Sequence, residues 1–209
     1  MSLHWTGQPF VDAGLAALLA CTRVQRLEDL TVADLEEACE ELEGILLSDP
    51  ALGVGLEKSF AKGALSQVFP NSELVNPSNW SKGAEGIREK YRAALRADLE
   101  RARHAMTGVP AERVCLVCGV GRPADSFIAL RRDHFPLLSG AVNFYPGLTY
   151  GVELCGVCKL ALRFVPLSVL RAGERGRLWF LHCPAEAVAR RVAQRFGREH
   201  FRRLIAAGE

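Results

Sequence analysis

No apolar run in the 209 residues approaches the roughly 18 consecutive residues that a membrane-spanning helix needs, so no membrane partner is expected. The first residues, Met1-Ser-Leu-His-Trp-Thr-Gly-Gln, lack both the basic start and the apolar core of a secretory signal. A cytoplasmic protein is expected. No internal repeat occurs beyond two cysteine pairs, and no low-complexity tract breaks the chain. A secreted disulfide framework is also missing, because the seven cysteines are odd in number and four of them fall in Cys-x-x-Cys pairs. What remains is an ordinary globular composition, 49% hydrophobic and 24% charged, with enough length to bury a core.

Charge is unevenly spread. Between Glu28 and Asp49 stand nine acids and no Lys or Arg, so the net +2 of the chain leaves +11 for everything outside that stretch (+2 less −9). Such asymmetry points to a polyanionic partner for the basic part, and to a protein partner or plain solvent for the acidic helix.

Hydrophobic periodicity predicts a buried first helix from Val11 to Arg23. A second helix starts at Thr31, with Asp34 completing a capping box and Leu35, Ala38, Cys39, Leu42, Ile45 and Leu46 on one face. Cys21 and Cys39 read as small core residues. Two prolines with several asparagines and serines make Phe69 to Lys82 a polar loop. A third helix follows from about Ala84 to Met106, with Ile87, Tyr91, Leu95 and Leu99 inside and arginines on its other faces. Short strands are expected around Val114, Phe127 to Leu130, Val142 to Tyr145 and Tyr150 to Leu154. A helix should run from Val157 to Val165 and a strand from Arg177 to His182. The last helix, after Pro184 and reaching about Ala207, should bury Val188, Val192, Phe196, Leu204 and Ile205 and turn its arginines outward.

The strongest chemical signal is Cys115-Leu-Val-Cys118 with Cys155-Gly-Val-Cys158. Two intervening residues let a tight turn aim both sulfurs at one point, and two such knuckles supply the four thiolates of a closed zinc site. The alternatives are a redox thiol pair or four unrelated core cysteines. Thirty-six residues separate the pairs, so an insertion lies between them. Within it, Asp133-His134-Phe-Pro136, Ser139-Gly140 and Asn143 resemble the His-Asn-His nuclease pattern, in which His activates water beside a divalent metal. That pattern needs a His or Asn after the second pair, where this chain has Lys159. Cys183, beside His182, is expected to be buried or to cap the last helix. Arg190, Arg191 and Arg195 are candidates for phosphate binding, and Asn71, Ser72, Asn76, Asn79 and Lys82 for entering a DNA groove. A solvated helix face and an ordinary turn are the competing readings.

The opening Trp5-Thr-Gly7-Gln-Pro9-Phe10-Val-Asp12-Ala-Gly14-Leu15-Ala-Ala-Leu18 resembles that of the CXXC–CXXC family of CRISPR-associated proteins. The likeness continues through Phe69-Pro-Asn71-Ser72, both cysteine pairs, Asn143-Phe144-Tyr145-Pro146-Gly147 and Val165-Pro166-Leu167. The resemblance implies a nonenzymatic large subunit of a type I-B Cascade complex. Such a subunit sits near the 5′ handle of the CRISPR RNA, contacts the Cascade backbone, reads the protospacer-adjacent motif on double-stranded target DNA and helps part the strands. It also implies recruitment of a helicase–nuclease. Members of the family are longer and end in a helical bundle, so a reduced version is expected, or a small helical subunit supplying the bundle.

The combined expectation is an α+β protein. A helical part, residues 1–109 with its polar loop at 69–82, precedes a zinc-bound part, residues 110–209, with short strands and a basic C-terminal helix. The other functional classes are a metal-dependent nuclease and a zinc-ribbon adaptor that binds protein through its acidic helix.

Overall fold

The computed structural model describes residues 3–52, 72–129, 153–172 and 177–207. The expected features at Phe69 to Asn71, the Asp133–His134 pair with Ser139 and Asn143, and the strand Val142 to Tyr145 lie outside the described residues. Helix α1 (Pro9–Ala20) opens with the Gln8 side chain accepting from the Val11 amide and Pro9 in the first turn. Every residue from Val11 to Ala20 is buried, as an almost wholly apolar helix requires. It ends three residues earlier than the periodicity predicts, where the Thr22 hydroxyl turns back onto the Leu19 carbonyl.

Asp12, the one charge inside α1, is buried and fully engaged. Its carboxylate accepts from the Thr6 amide and hydroxyl, both at 2.8 Å, from the Gly7 amide at 3.0 Å, and lies 3.2 Å from His182 Nε2. The opening motif thus folds the N-terminus over the start of α1. Gly14 completes it: a Cβ there would stand 2.0 Å from the Ala161 carbonyl oxygen.

Helix α2 (Val32–Leu46) carries the predicted capping box, Thr31 with Asp34, and buries the six predicted residues. A short turn, α3 (Asp49–Leu52), follows. The polar segment contains a 3-10 turn, Pro77–Lys82, which leads into α4 (Gly83–Met106). Ile87, Tyr91 and Leu95 of α4 face the core, joined by Asp98, Ala102 and Ala105.

Strands β1 (Arg113–Val114) and β2 (Gly121–Arg122) form a small antiparallel hairpin. Strand β3 (Phe127–Ala129) pairs with β4 (Glu153–Cys155), and helix α5 (Gly156–Phe164) begins at once. Strands β5 (Val169–Ala172) and β6 (Arg177–Phe180) make a second hairpin. Helix α5 is clasped by α1 on one side and α4 on the other. One hydrophobic core runs from Leu3 through Cys155 and Phe164 to Phe201, and so crosses residue 109 without interruption.

The C-terminal helix departs from expectation. Helix α6 (Glu186–Val192), with Ala185 rather than Cys183 as N-cap, passes into six residues wound as a π-helix, Ala193–Arg198, before α7 (Glu199–Ala207). Val188 and Phe196, predicted to be inside, are 49% and 47% exposed. The buried stripe is Ala189, Ala193, Gly197 and Phe201. Small residues win because the helix approaches the Val165–Ser168 turn through its backbone: a Cβ on Gly197 would stand 1.7 Å from the Leu167 carbonyl oxygen. Val188 and Phe196 are displaced to the flanks.

Candidate metal centre and basic surface

The first cysteine pair sits in the turn of the β1–β2 hairpin. The Cys115 amide donates to the Val120 carbonyl at 3.0 Å, and the Gly119 amide to the Cys115 carbonyl at 2.8 Å. Gly119 has φ of +69°, a left-handed conformation that a side chain would strain. The second pair straddles the start of α5, Cys155 being its N-cap and Cys158 lying in its first turn. Partial positive charge at a helix start favours thiolates there. The helix can occupy this place because Gly156 lies against α4, where a Cβ would be 2.3 Å from the Arg101 carbonyl carbon.

All four sulfurs lie within 4.8 Å of one another. Cys115 Sγ is 3.9 Å from Cys158 Sγ, and Cys118 Sγ is 3.8 Å from Cys155 Sγ. A tetrahedral zinc with bonds of about 2.3 Å has sulfur–sulfur edges of about 3.8 Å. The cluster therefore has the size of a four-thiolate metal shell and is close enough to hold one metal ion. Crowding also spreads the thiol acidities. Bonds from the Cys118, Cys155 and Cys158 thiols pull Cys115 down, while Cys155 and Cys158 are pushed up, first by Cys115. Cys118, raised by Cys115 but lowered further by Cys155 and Cys158, settles at about 7. Thiolate character on such a set is what a soft divalent cation binds. Cys21 and Cys39 are different: burial pushes both up to about 12, so they remain inert thiols of the core.

The surroundings of the centre were only partly legible. His4, which stands in no recognisable spacing, reaches the Cys118 carbonyl with Nε2 at 2.9 Å. Lys159, the residue after the fourth cysteine, points inward. Its ammonium donates to Asp98 at 2.8 Å, and Arg163 Nε donates to the same oxygen at 2.7 Å. Arg163 also holds Glu73 with two bonds, 2.8 and 3.1 Å, and lies 5.4 Å from the centre of the Tyr91 ring. Burial opposes the Asp98 and Glu73 carboxylates, yet their cations outweigh it and hold both below the usual range. Lys159 is drawn down to about 8, by burial and then by repulsion from Arg163, despite Asp98. With one carboxylate shared by three cations, Lys159, Arg163 and, at 3.2 Å, Arg101, the lysine proton is the least secure charge of the group. This network ties the polar segment to α5.

The candidate DNA-contacting residues fall in two places. Asn71 lies outside the described residues, and Ser72 is half-buried with a hydroxyl that has no hydrogen-bond partner among the described residues. Asn76 accepts from the Ser78 amide and hydroxyl, at 3.1 and 2.9 Å, and so caps the 3-10 turn. Asn79 donates to the Glu73 carbonyl at 3.0 Å and accepts from Lys90. Lys82 is exposed at the end of this turn. In the second place, Arg191 and Arg195 are exposed on the C-terminal helix, Arg195 lying over the Phe196 ring, while Arg190 donates to Gln25 at 3.1 Å.

Part of the basic charge is used internally. Arg198 and Arg202 both meet Glu41, Arg92 meets Glu43 at 2.5 Å, and Arg103 meets Glu36 at 3.4 Å. Acids of α2 thus face arginines of α4 and the C-terminal helix, and the charge asymmetry of the sequence is in part an internal pairing.

Residues 109–170 match the model of a family described as CRISPR-associated protein (Cas_CXXC_CXXC). The matched span contains both cysteine pairs, and it supports a CRISPR-associated protein of this kind. No curated protein and no solved structure matches the chain. No described helix is long and apolar enough to cross a membrane.

Proposed function

We propose that the chain is a non-catalytic, zinc-stapled DNA-recognition subunit of a type I-B Cascade effector, working in the cytoplasm. The observation that carries this reading is the coincidence of the family match with the four converging cysteines. Zinc is the metal because four thiolates at tetrahedral spacing suit it, and a shell closed by protein leaves no open position for catalysis. Its work is to hold the β1–β2 turn against the start of α5. CRISPR RNA, double-stranded target DNA and the Cascade backbone and 5′-handle subunits are the partners. A small helical subunit and a helicase–nuclease complete the set.

Within that reading, residues 1–109 form the DNA-facing helical part and 110–209 the zinc part. The segment Asn71 to Lys82 is the motif reader. Its internally bonded Asn76 and Asn79 shape the turn, and exposed Lys82 meets the backbone. The nuclease reading has less support, since Lys159, standing where that chemistry needs His or Asn, is buried in an ion pair with Asp98. The adaptor reading loses ground with each acid of α2 that is paired to an arginine.

The test is purification of the tagged chain from its native cells. CRISPR RNA and a repeated backbone subunit are expected in the isolated particle, which should bind duplex DNA carrying one preferred flanking motif. A chain that comes down without RNA or partner subunits would sink the proposal. His134→Ala should leave the particle's DNA binding unchanged, and cleavage of DNA by the isolated wild-type chain, lost in that variant, would favour the nuclease instead.

A further inference from the structure

Beside the C-terminal helix lies an open depression of about 430 Å³, lined by Gln25, Arg26, Glu186, Arg190, Arg191 and Gln194. It joins two segments remote in sequence, the turn after α1 and the face of α6. Three guanidinium groups meet two amide side chains there, and Glu186 is the one acid of the lining. Glu186 is itself occupied, accepting from the Leu27 amide. Arg26 is paired with Glu28 at 2.5 Å. Arg190 is held at one end by Gln25, yet its Nε–H is covered from water with no hydrogen-bond partner among the described residues. Leaving such a charged donor unmet is costly unless something else satisfies it.

We propose that this depression is a phosphate pocket that takes one phosphate group of a nucleic-acid backbone, independent of sequence; it rests on the nucleic-acid reading above and adds where the strand is gripped. The chemistry fits. A phosphate presents acceptors on several sides, guanidinium forks match them in pairs, and neutral donors come from the Gln194 amide and from the second amide hydrogen of Gln25, whose other donates to the Arg23 carbonyl at 3.3 Å. Arg190 swings on its Gln25 anchor to spend its idle Nε–H, and Arg191, exposed on the rim, supplies long-range attraction. The Glu186 carboxylate limits affinity, so the grip stays reversible.

The test follows the Arg190 Nε–H signal in ¹⁵N spectra of the full chain, identified by its loss in Arg190→Gln, during titration with inorganic phosphate. A progressive shift is expected; an unmoved signal overturns the pocket. Fluorescent random-sequence duplex DNA and single-stranded RNA then distinguish the strand. For whichever is bound, Arg191→Ala should weaken affinity roughly tenfold and lower the salt slope by about one. Glu186→Gln, which keeps the acceptor for Leu27 but removes the charge, should tighten binding several-fold. Wild-type affinity in both variants overturns the inference while leaving the DNA-binding reading standing. A wild-type chain that binds neither strand, despite a moving signal, overturns both.

Discussion

Asp98 and Lys159, sixty-one residues apart, form an ion pair of 2.8 Å with both side chains almost wholly buried, at 3% and 4% exposure. Through Arg163 the same carboxylate reaches Glu73, so the polar segment, α4 and the helix that carries the fourth cysteine in its first turn share one charge network. Removing one member of a buried set strands the others in low dielectric.

Asp98→Asn therefore destabilises the protein by about 3–5 kcal/mol in urea unfolding, by leaving Lys159 and Arg163 short of a counter-charge. Arg203→Ala, at an exposed pair 4.0 Å from Glu199, costs under about 0.5 kcal/mol. The acid limb carries the same signature. Asp98 and Glu73 have folded pKa values below their ordinary 3.8 and 4.5, so their contribution is present above those values and is lost as pH falls through the lowered ones. Wild type should lose stability more steeply below about pH 4.5 than Asp98→Asn does. Equal slopes in the two proteins would remove Asp98 from the account.

Much of this architecture was readable beforehand. The period of α2, its capping box and the spacing of the cysteine pairs are local signals, and local signals survive folding. The network was not readable: Asp98 looks like one more polar residue on a basic helix, and only the close approach of α5 to α4 at Gly156 buries it. The C-terminal helix misled for a related reason. Large apolar residues normally mark the inner face, but here the backbone comes so near the Val165–Ser168 turn that only Ala189, Ala193 and Gly197 fit. A stripe of small residues four apart was the signal available. The insertion between the cysteine pairs gave a nuclease-like pattern, and the one described position that bears on it, Lys159, argues against that chemistry by being spent on Asp98.

Metal content separates the cysteines into two classes. Elemental analysis should find one zinc per chain, and Ser at any one of Cys115, Cys118, Cys155 or Cys158 should lower occupancy and the unfolding temperature together. Chelation with a strong zinc ligand should loosen the β1–β2 turn from α5, read as new reactivity of these four thiols. Cys21→Ser and Cys39→Ser should keep full metal. In the folded protein Cys21 and Cys39 should resist alkylation near neutral pH, because burial holds both near pKa 12. Loss of zinc on replacing either would overturn the assignment of the ligand set.

Two glycines on helices make opposite predictions from one substitution. Gly14 of α1 faces the Ala161 carbonyl oxygen of α5 so closely that an added Cβ would lie 2.0 Å away, against backbone that cannot rotate aside. Gly14→Ala must push α1 from α5, so the cost should be at least the ~1–3 kcal/mol of an overpacked core. Gly44 of α2 has nothing within 4 Å of the same position among the described residues, and its helix gains from lost unfolded-state freedom. Gly44→Ala should raise stability by about 0.5–1 kcal/mol. Chemical unfolding of the two variants beside wild type decides the matter. A neutral Gly14→Ala would mean that α1 does not seat on α5 at this distance. The place given to the Trp5 to Leu18 motif, which folds the N-terminus over the start of α1 and seats that helix on α5 through Gly14, would then have to be redrawn.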